Sequence, residues 1–191
     1  MVKESLETVA KKYPDHKFVI VDEKLDLSNV ASITFKEEEG SFLAGVVAGM
    51  ASRTDQVGFI GGVESPLLKK FEIGYRAGVR SVKPDAKVTA TYAGDFGKPD
   101  LGTEIARDMI DRDRIDVIYA AAGLTGVGAL QEAQEQQKFA IGVDSDQFFI
   151  AEKAVVTSMI KNVDVAIYTA IKSFADHQRK FTDQNMVFGL V

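Results

Sequence analysis

The chain has 191 residues, 46% of them hydrophobic, which is ordinary for a globular chain able to bury one core. Its net charge of -5, without a dense basic run, lacks the electrostatic footprint of nucleic-acid binding, so no nucleic-acid partner is expected. The absence of Cys excludes disulfides, thiolate metal sites and thiol catalysis, and His16 and His177 both lie in polar surroundings that argue against a His-based triad or metal site.

No apolar stretch approaches the length of a bilayer span, and residues 1–13 form an amphipathic charged segment that cannot serve as a secretory signal. Over 2–13, Leu6, Val9, Ala10 and Tyr13 fall on one helical face, and Pro14-Asp15 ends the helix. Residues 18–21 are a continuous apolar run, which reads as a buried parallel strand. A wound α/β unit begins with a strand, so the opening helix needs an earlier partner, and residues upstream of Met1 are expected in the natural protein. A second strand is predicted at 30–35. Glu37, Glu38 and Glu39 then suit the first turn of a helix over about 38–52, whose Gly40, Gly45 and Gly49 suggest a tight helix–sheet contact.

From Gln56 a regular alternation begins. Strands are predicted at 57–60, 88–92, 117–121 and 139–143, with helices between them over 67–82, 102–111 and 127–137. The first of these helices buries Leu68, Phe71, Tyr75 and Val79. This β-α-β-α-β-α-β order implies an α/β fold with a parallel, right-handed, doubly wound sheet. A further strand is predicted at 155–160, then a helix over about 162–176 with Val165, Ile167, Tyr168 and Ile171 as its apolar face. Residues 186–191 are apolar and end without a turn signal, so the C-terminus is also expected to be cut short.

The loops sort into two kinds. Those leading from helix into strand, at 83–85, 111–114 and 136–138, are charged and plain. Those leaving strands are small and specialised: 61–65, 94–97, 123–126 and 144–147. The second kind lies at the carboxyl ends of the strands, where a wound sheet binds its ligand. Phe96, between Asp95 and Gly97, either folds back onto the sheet or stacks on a flat ligand. Gly123, Thr125 and Gly126 resemble a phosphate-cradling turn but match neither the dinucleotide fingerprint nor the P-loop, so a hydrogen-bonding rim is the better reading and no cofactor is expected. Asp144 either caps a local turn or accepts from two adjacent hydroxyls, as on a ribose. With Asp146 it could also belong to an acidic metal or phosphoacceptor cluster, although no third acidic partner is evident. Lys161 is either a solvated lysine at a helix start or a group reaching the same edge.

Beyond these features, Asn29-Val-Ala-Ser-Ile-Thr-Phe-Lys-Glu-Glu-Glu-Gly-Ser-Phe-Leu-Ala-Gly45 is similar to a segment of the basic membrane protein (BMP) family, the substrate-binding lipoproteins of ABC transporters for purine nucleosides. Val57-Gly-Phe-Ile-Gly-Gly62, Phe71-Glu-Ile-Gly-Tyr-Arg-Ala-Gly78, Tyr92-Ala-Gly-Asp-Phe-Gly97, Ala121-Ala-Gly-Leu-Thr-Gly-Val-Gly128, Gly142-Val-Asp-Ser-Asp-Gln147 and Thr157-Ser-Met-Ile-Lys161 resemble its successive blocks in the same order. The resemblance implies a two-lobed, type I periplasmic-binding-protein fold, of which this chain holds mainly the second lobe. Residues 1–37 would be a remnant of the first lobe and a crossover. Residues 38–153 would be the ligand-binding lobe, and 154–191 the crossover back with a first-lobe helix. It implies ligand contacts at Phe96 (base stacking), Gly123 to Gly126, Asp144 (ribose hydroxyls) and Lys161. The family's opening block, its lipid-bearing Cys and its export signal have no counterpart here, so the resemblance implies a truncated member. The intact protein would be lipid-anchored outside the cytoplasm and work with an ABC permease, without catalysis. Apolar faces left on the first-lobe remnant predict a homodimer or soluble aggregate in which this remnant packs on its copy. Two alternatives stay open: a wound α/β enzyme using Asp144 or Asp146 as a base, and a cytosolic sensory relative of the binding proteins.

Overall fold

The computed structural model describes residues 2–190. In chain order the elements are α1 (Val2–Lys12), β1 (Phe18–Val21), β2 (Val30–Phe35), α2 (Glu37–Ala51), β3 (Gln56–Gly61), α3 (Pro66–Val82) and β4 (Lys87–Tyr92). There follow α4 (Pro99–Asp113), β5 (Val117–Ala121), α5 (Gly123–Glu135), β6 (Phe139–Asp144), β7 (Val155–Ile160), α6 (Val163–Asp176) and β8 (Asn185–Phe188). They form two units. One combines the chain up to Lys36 with the chain from Asn162 onward; the other is Glu37–Lys161.

In the Glu37–Lys161 unit five strands pair in the order β4-β3-β5-β6-β7, all parallel. Successive side chains of a strand point to opposite faces. Val57, Phe59, Val117, Tyr119, Ile141 and Val143 therefore pack with α2 and α3, while Ile60, Ile118, Ala120 and Ala140 pack with α4 and α5. Cover on both faces explains why the strands read as apolar runs rather than alternations. On α3, Leu68, Phe71, Tyr75 and Val79 are buried, as the helical spacing predicts. The chain moves outward from β3 to β4, then returns past β3 to β5. The carboxyl ends of β3 and β5 thus form the switch point at which a wound sheet opens a crevice.

Glycine sets the helix spacing. A Cβ at Gly45, Gly74 or Gly78 would overlap backbone of the opposing helix, at Tyr75, Glu38 and Phe42 respectively. The expected helix–sheet role holds for Gly40, which faces Met159 of β7. Gly45 and Gly49 instead serve the contact between α2 and α3.

Strand β7 pairs with β6 from Ala140↔Val155 to Asp144↔Ile160, within the unit that runs to Lys161. Backbone hydrogen bonding along the strand, invisible in composition, decides its membership. In the other unit β1, β2 and β8 form a parallel sheet with β2 central. As an edge strand β1 buries Ile20 alone among its four residues, so the expectation of a fully buried strand is corrected. Helix α6 corrects a further expectation. It packs Ala166 and Ala170 against Ile33, Phe35, Met186 and Phe188, whereas Val165, Ile167, Tyr168 and Ile171 are exposed. Small side chains bring the helix close to the sheet and leave the larger ones outside.

Candidate functional site

At the carboxyl end of β3 two successive glycines receive two aromatic rings. A Cβ on Gly61 would lie 2.6 Å from the Tyr92 ring, and one on Gly62 would overlap the ring of Phe96. Gly62 N–H donates to the Ala121 carbonyl at 3.1 Å, tying β3 to β5 at the switch point, and the Gly61 and Gly62 carbonyls accept from Ala93 and Gly94 at 2.9 Å each. Phe96 also lies against Gly123, whose φ of +58° suits a residue without Cβ. The ring rests on glycine backbone yet Phe96 stays 43% exposed, so it offers a free aromatic surface above the crevice. Its loop is fixed from both sides. Asp95 accepts from Gly97 N–H at 2.8 Å and pairs with Lys98 at 3.2 Å. The Gly97 amide, with Lys98 second, holds the Asp95 carboxyl below the usual carboxylate range.

The expected loop at 123–126 is a helical turn, because α5 begins at Gly123. Thr125 is fully buried. Its Oγ1 donates to the Asp95 carbonyl at 3.0 Å and accepts from Lys98 N–H at 2.9 Å, while its N–H donates to the Phe96 carbonyl at 3.1 Å. Gly126 is buried beneath Ala120 and Ala122. Of the three, Gly123 is exposed; Thr125 holds the Phe96 loop, and Gly126 lets α5 approach β5.

Asp144 ends β6 with φ of +65°, a left-handed conformation that Asp tolerates better than most residues. The residue is exposed. The turn is held by Ser145 N–H on the Val143 carbonyl at 2.8 Å and by Lys161 N–H on the Asp144 carbonyl at 3.0 Å. Gln147 completes it, accepting from Val143 N–H at 2.8 Å and donating from its own amide to Ser158 Oγ at 3.1 Å. Asp146 is exposed and accepts from Phe148 N–H at 3.0 Å, a local turn contact.

Lys161 follows β7 and is not a solvated lysine: its side chain is 6% exposed and its Nζ lies 3.1 Å from Glu37 Oε1, whose own side chain is 1% exposed. Glu37 Oε2 lies 3.2 Å from Lys70 Nζ. The Lys161 ammonium also stands 6.0 Å from the Phe71 ring centroid. Nearby, Ser41 and Tyr119 share a hydroxyl–hydroxyl hydrogen bond of 3.3 Å. Burial, reinforced by the negative charges of Asp144 and Glu37, pushes the Tyr119 hydroxyl well above its usual range. Sequence reasoning missed Glu37, which stands in a run of three glutamates and carries no local mark of pairing with Lys161.

The opposite edge of the sheet is closed. Buried Asp116 accepts from Ser52 Oγ at 2.7 Å and from the amides of Arg53 and Thr54 at 2.6 and 3.0 Å.

The parallel sheet, its switch point and the crossings at both ends of Glu37–Lys161 define the type I periplasmic-binding-protein class of fold. The chain belongs to the Bmp family, ABC transporter substrate-binding protein PnrA-like, which it matches over residues 1–190. It is 41% identical over 183 residues to the CD4+ T-cell-stimulating antigen of Listeria monocytogenes, covering 87% of this chain and 51% of that protein. It is 37% identical over 193 residues to the ABC transporter nucleoside-binding protein BmpA of Lactococcus lactis, covering 92% and 54%. Among solved structures, an ABC transporter solute-binding protein from Aeropyrum pernix superposes with a TM-score of 0.89 at 32% identity, covering 97% of this chain and 55% of that one. The chain spans about half the length of the curated relatives it matches.

Proposed function

We propose that this chain supplies a lobe that captures a purine nucleoside for uptake by an ABC transporter, without catalysis. The observation that carries the reading is the exposed ring of Phe96, laid on Gly62 and Gly123 at the switch point. A flat base stacks on that ring, and Asp144, exposed at the end of β6, accepts from the ribose hydroxyls. Gly123 allows close approach, Thr125 and Gly126 hold the frame, and Lys161 donates from the end of β7. Kinship with the nucleoside-binding relative supports the ligand class. An ABC permease as partner and a lipid-anchored, extracytoplasmic location belong to the same reading. The exposed apolar face of α6, with Val165, Tyr168 and Ile171, is proposed to pack on a second copy.

Calorimetric titration with inosine, guanosine and adenine tests the assignment. Base–aromatic stacking contributes roughly 1–3 kcal/mol, so Phe96→Ala is expected to weaken all three ligands by about fivefold to 150-fold. A hydrogen bond to a charged acceptor contributes about 1.5–3 kcal/mol, so Asp144→Ala is expected to weaken the nucleosides about tenfold or more and leave adenine nearly unchanged. Nucleoside binding by Asp144→Ala as tight as the parent's would return Asp144 to a turn residue.

A further inference from the structure

We infer that Glu37 is a specificity-determining residue of this edge: by holding and offsetting the Lys161 ammonium, it favours an uncharged nucleoside over a phosphorylated one. The inference rests on the nucleoside reading above for its ligand and on buried geometry for its cause. Glu37 is the first residue of its unit and Lys161 the last, yet the fold brings Oε1 and Nζ to 3.1 Å with side chains 1% and 6% exposed. Solvent screens an exposed pair and leaves little of it, but it screens a buried one far less. Lys70, on the other oxygen of Glu37, is 44% exposed and contributes a more screened charge.

A lysine at the carboxyl ends of strands would ordinarily recruit phosphate as a point charge. Here a buried carboxylate meets that charge from within the unit, and exposed Asp144 adds a negative charge on the next strand. A phosphate monoester brings about −1.5 to −2 charge at neutral pH and gains little from an ammonium already offset. The ammonium still donates hydrogen bonds, which is what a hydroxyl needs. Glu37 touches no ligand in this account. It acts through the position and electrostatic environment of Lys161.

Glu37→Gln removes one buried negative charge while keeping the shape of the side chain. Inosine and inosine 5′-monophosphate are titrated against the parent, Glu37→Gln, Glu37→Asp and Lys161→Gln. The parent is expected to prefer inosine. Glu37→Gln shifts the affinity ratio toward the monophosphate by about tenfold or more, Glu37→Asp keeps the parent ratio, and Lys161→Gln shifts it further toward inosine. A merely structural Glu37 would weaken both ligands together and leave the ratio unchanged. That result, in whichever of Glu37→Gln and Lys161→Gln folds by circular dichroism, overturns the inference. Titration with inorganic phosphate, followed at the Lys161 amide by NMR, needs no nucleoside. If the parent binds no inosine but Glu37→Gln gains phosphate at Lys161, the nucleoside reading falls and the role of Glu37 stands.

Discussion

At Gly62 the missing Cβ is what allows the Phe96 ring to lie on the backbone at the crevice. Gly62→Ala is therefore expected to displace that ring and weaken inosine several-fold, part of the way to Phe96→Ala, though the aromatic group remains. Calorimetry on the two variants checks it; unchanged affinity in Gly62→Ala would detach the ring's position from binding. A second residue-scale prediction concerns Glu72. Burial raises its carboxyl pKa, but hydrogen bonds from Tyr92, Arg76 and Lys69 outweigh that and hold it at about 2, against an ordinary 4.5. A carboxyl depressed on folding stabilises fully above its unfolded pKa and loses that contribution as pH falls through the folded one. Glu72→Gln should thus lower stability by about 1–3 kcal/mol at pH 7, with the deficit shrinking between pH 4.5 and about 2. Urea denaturation across that range reads it directly. The placement of Phe96 and Asp144 at the carboxyl ends of strands was legible in sequence, because each follows a predicted strand. Glu37 was not, because its partner is at the far end of the unit and its neighbours Glu38 and Glu39 look the same.

The elements themselves were legible where hydrophobic period and turn residues agreed. The β-α alternation after Gln56 and the buried face of α3 fall in this class. The reading failed where glycine composition imitates a loop. Gly123, Thr125 and Gly126 open α5, and Gly128 meets the Pro99 carbonyl of α4 at a distance no Cβ could tolerate. Glycine at helical spacing marks close backbone approach as readily as a turn. The same holds for α2 and α3, where Gly45, Gly74 and Gly78 bring the two backbones together. Gly78→Ala is expected to cost about 1–3 kcal/mol, since its Cβ would overlap Phe42 backbone that cannot swing aside. A control at Ala77→Gly, one residue away and exposed, should cost about 1 kcal/mol or less through helix propensity alone. Equal denaturation midpoints for Gly78→Ala and the parent would contradict the tight helix contact. Strand β7 was recognised as a strand and read as a crossover; its pairing with β6 is not written in the strand's own composition.

At the scale of the whole molecule, fold class was the most legible property, since a wound sheet follows from the order of elements. The orientation of α6 was the least legible. Its four large apolar residues look like a core face by period, yet Ala166 and Ala170 take that place. Light scattering at rising concentration is expected to show a dimer through this face, and Tyr168→Glu with Ile171→Glu is expected to give a monomer. A parent that stays monomeric at high concentration would count against a second copy as the cover. Nucleoside capture itself is tested most directly by amide shift mapping on the isotope-labelled chain with millimolar inosine. The account predicts shifts at Gly62, Phe96, Gly123, Asp144 and Lys161, and none at Ser52, Arg53, Thr54 and Asp116 on the closed edge. Shifts confined to the closed edge, or no shifts anywhere, would contradict it.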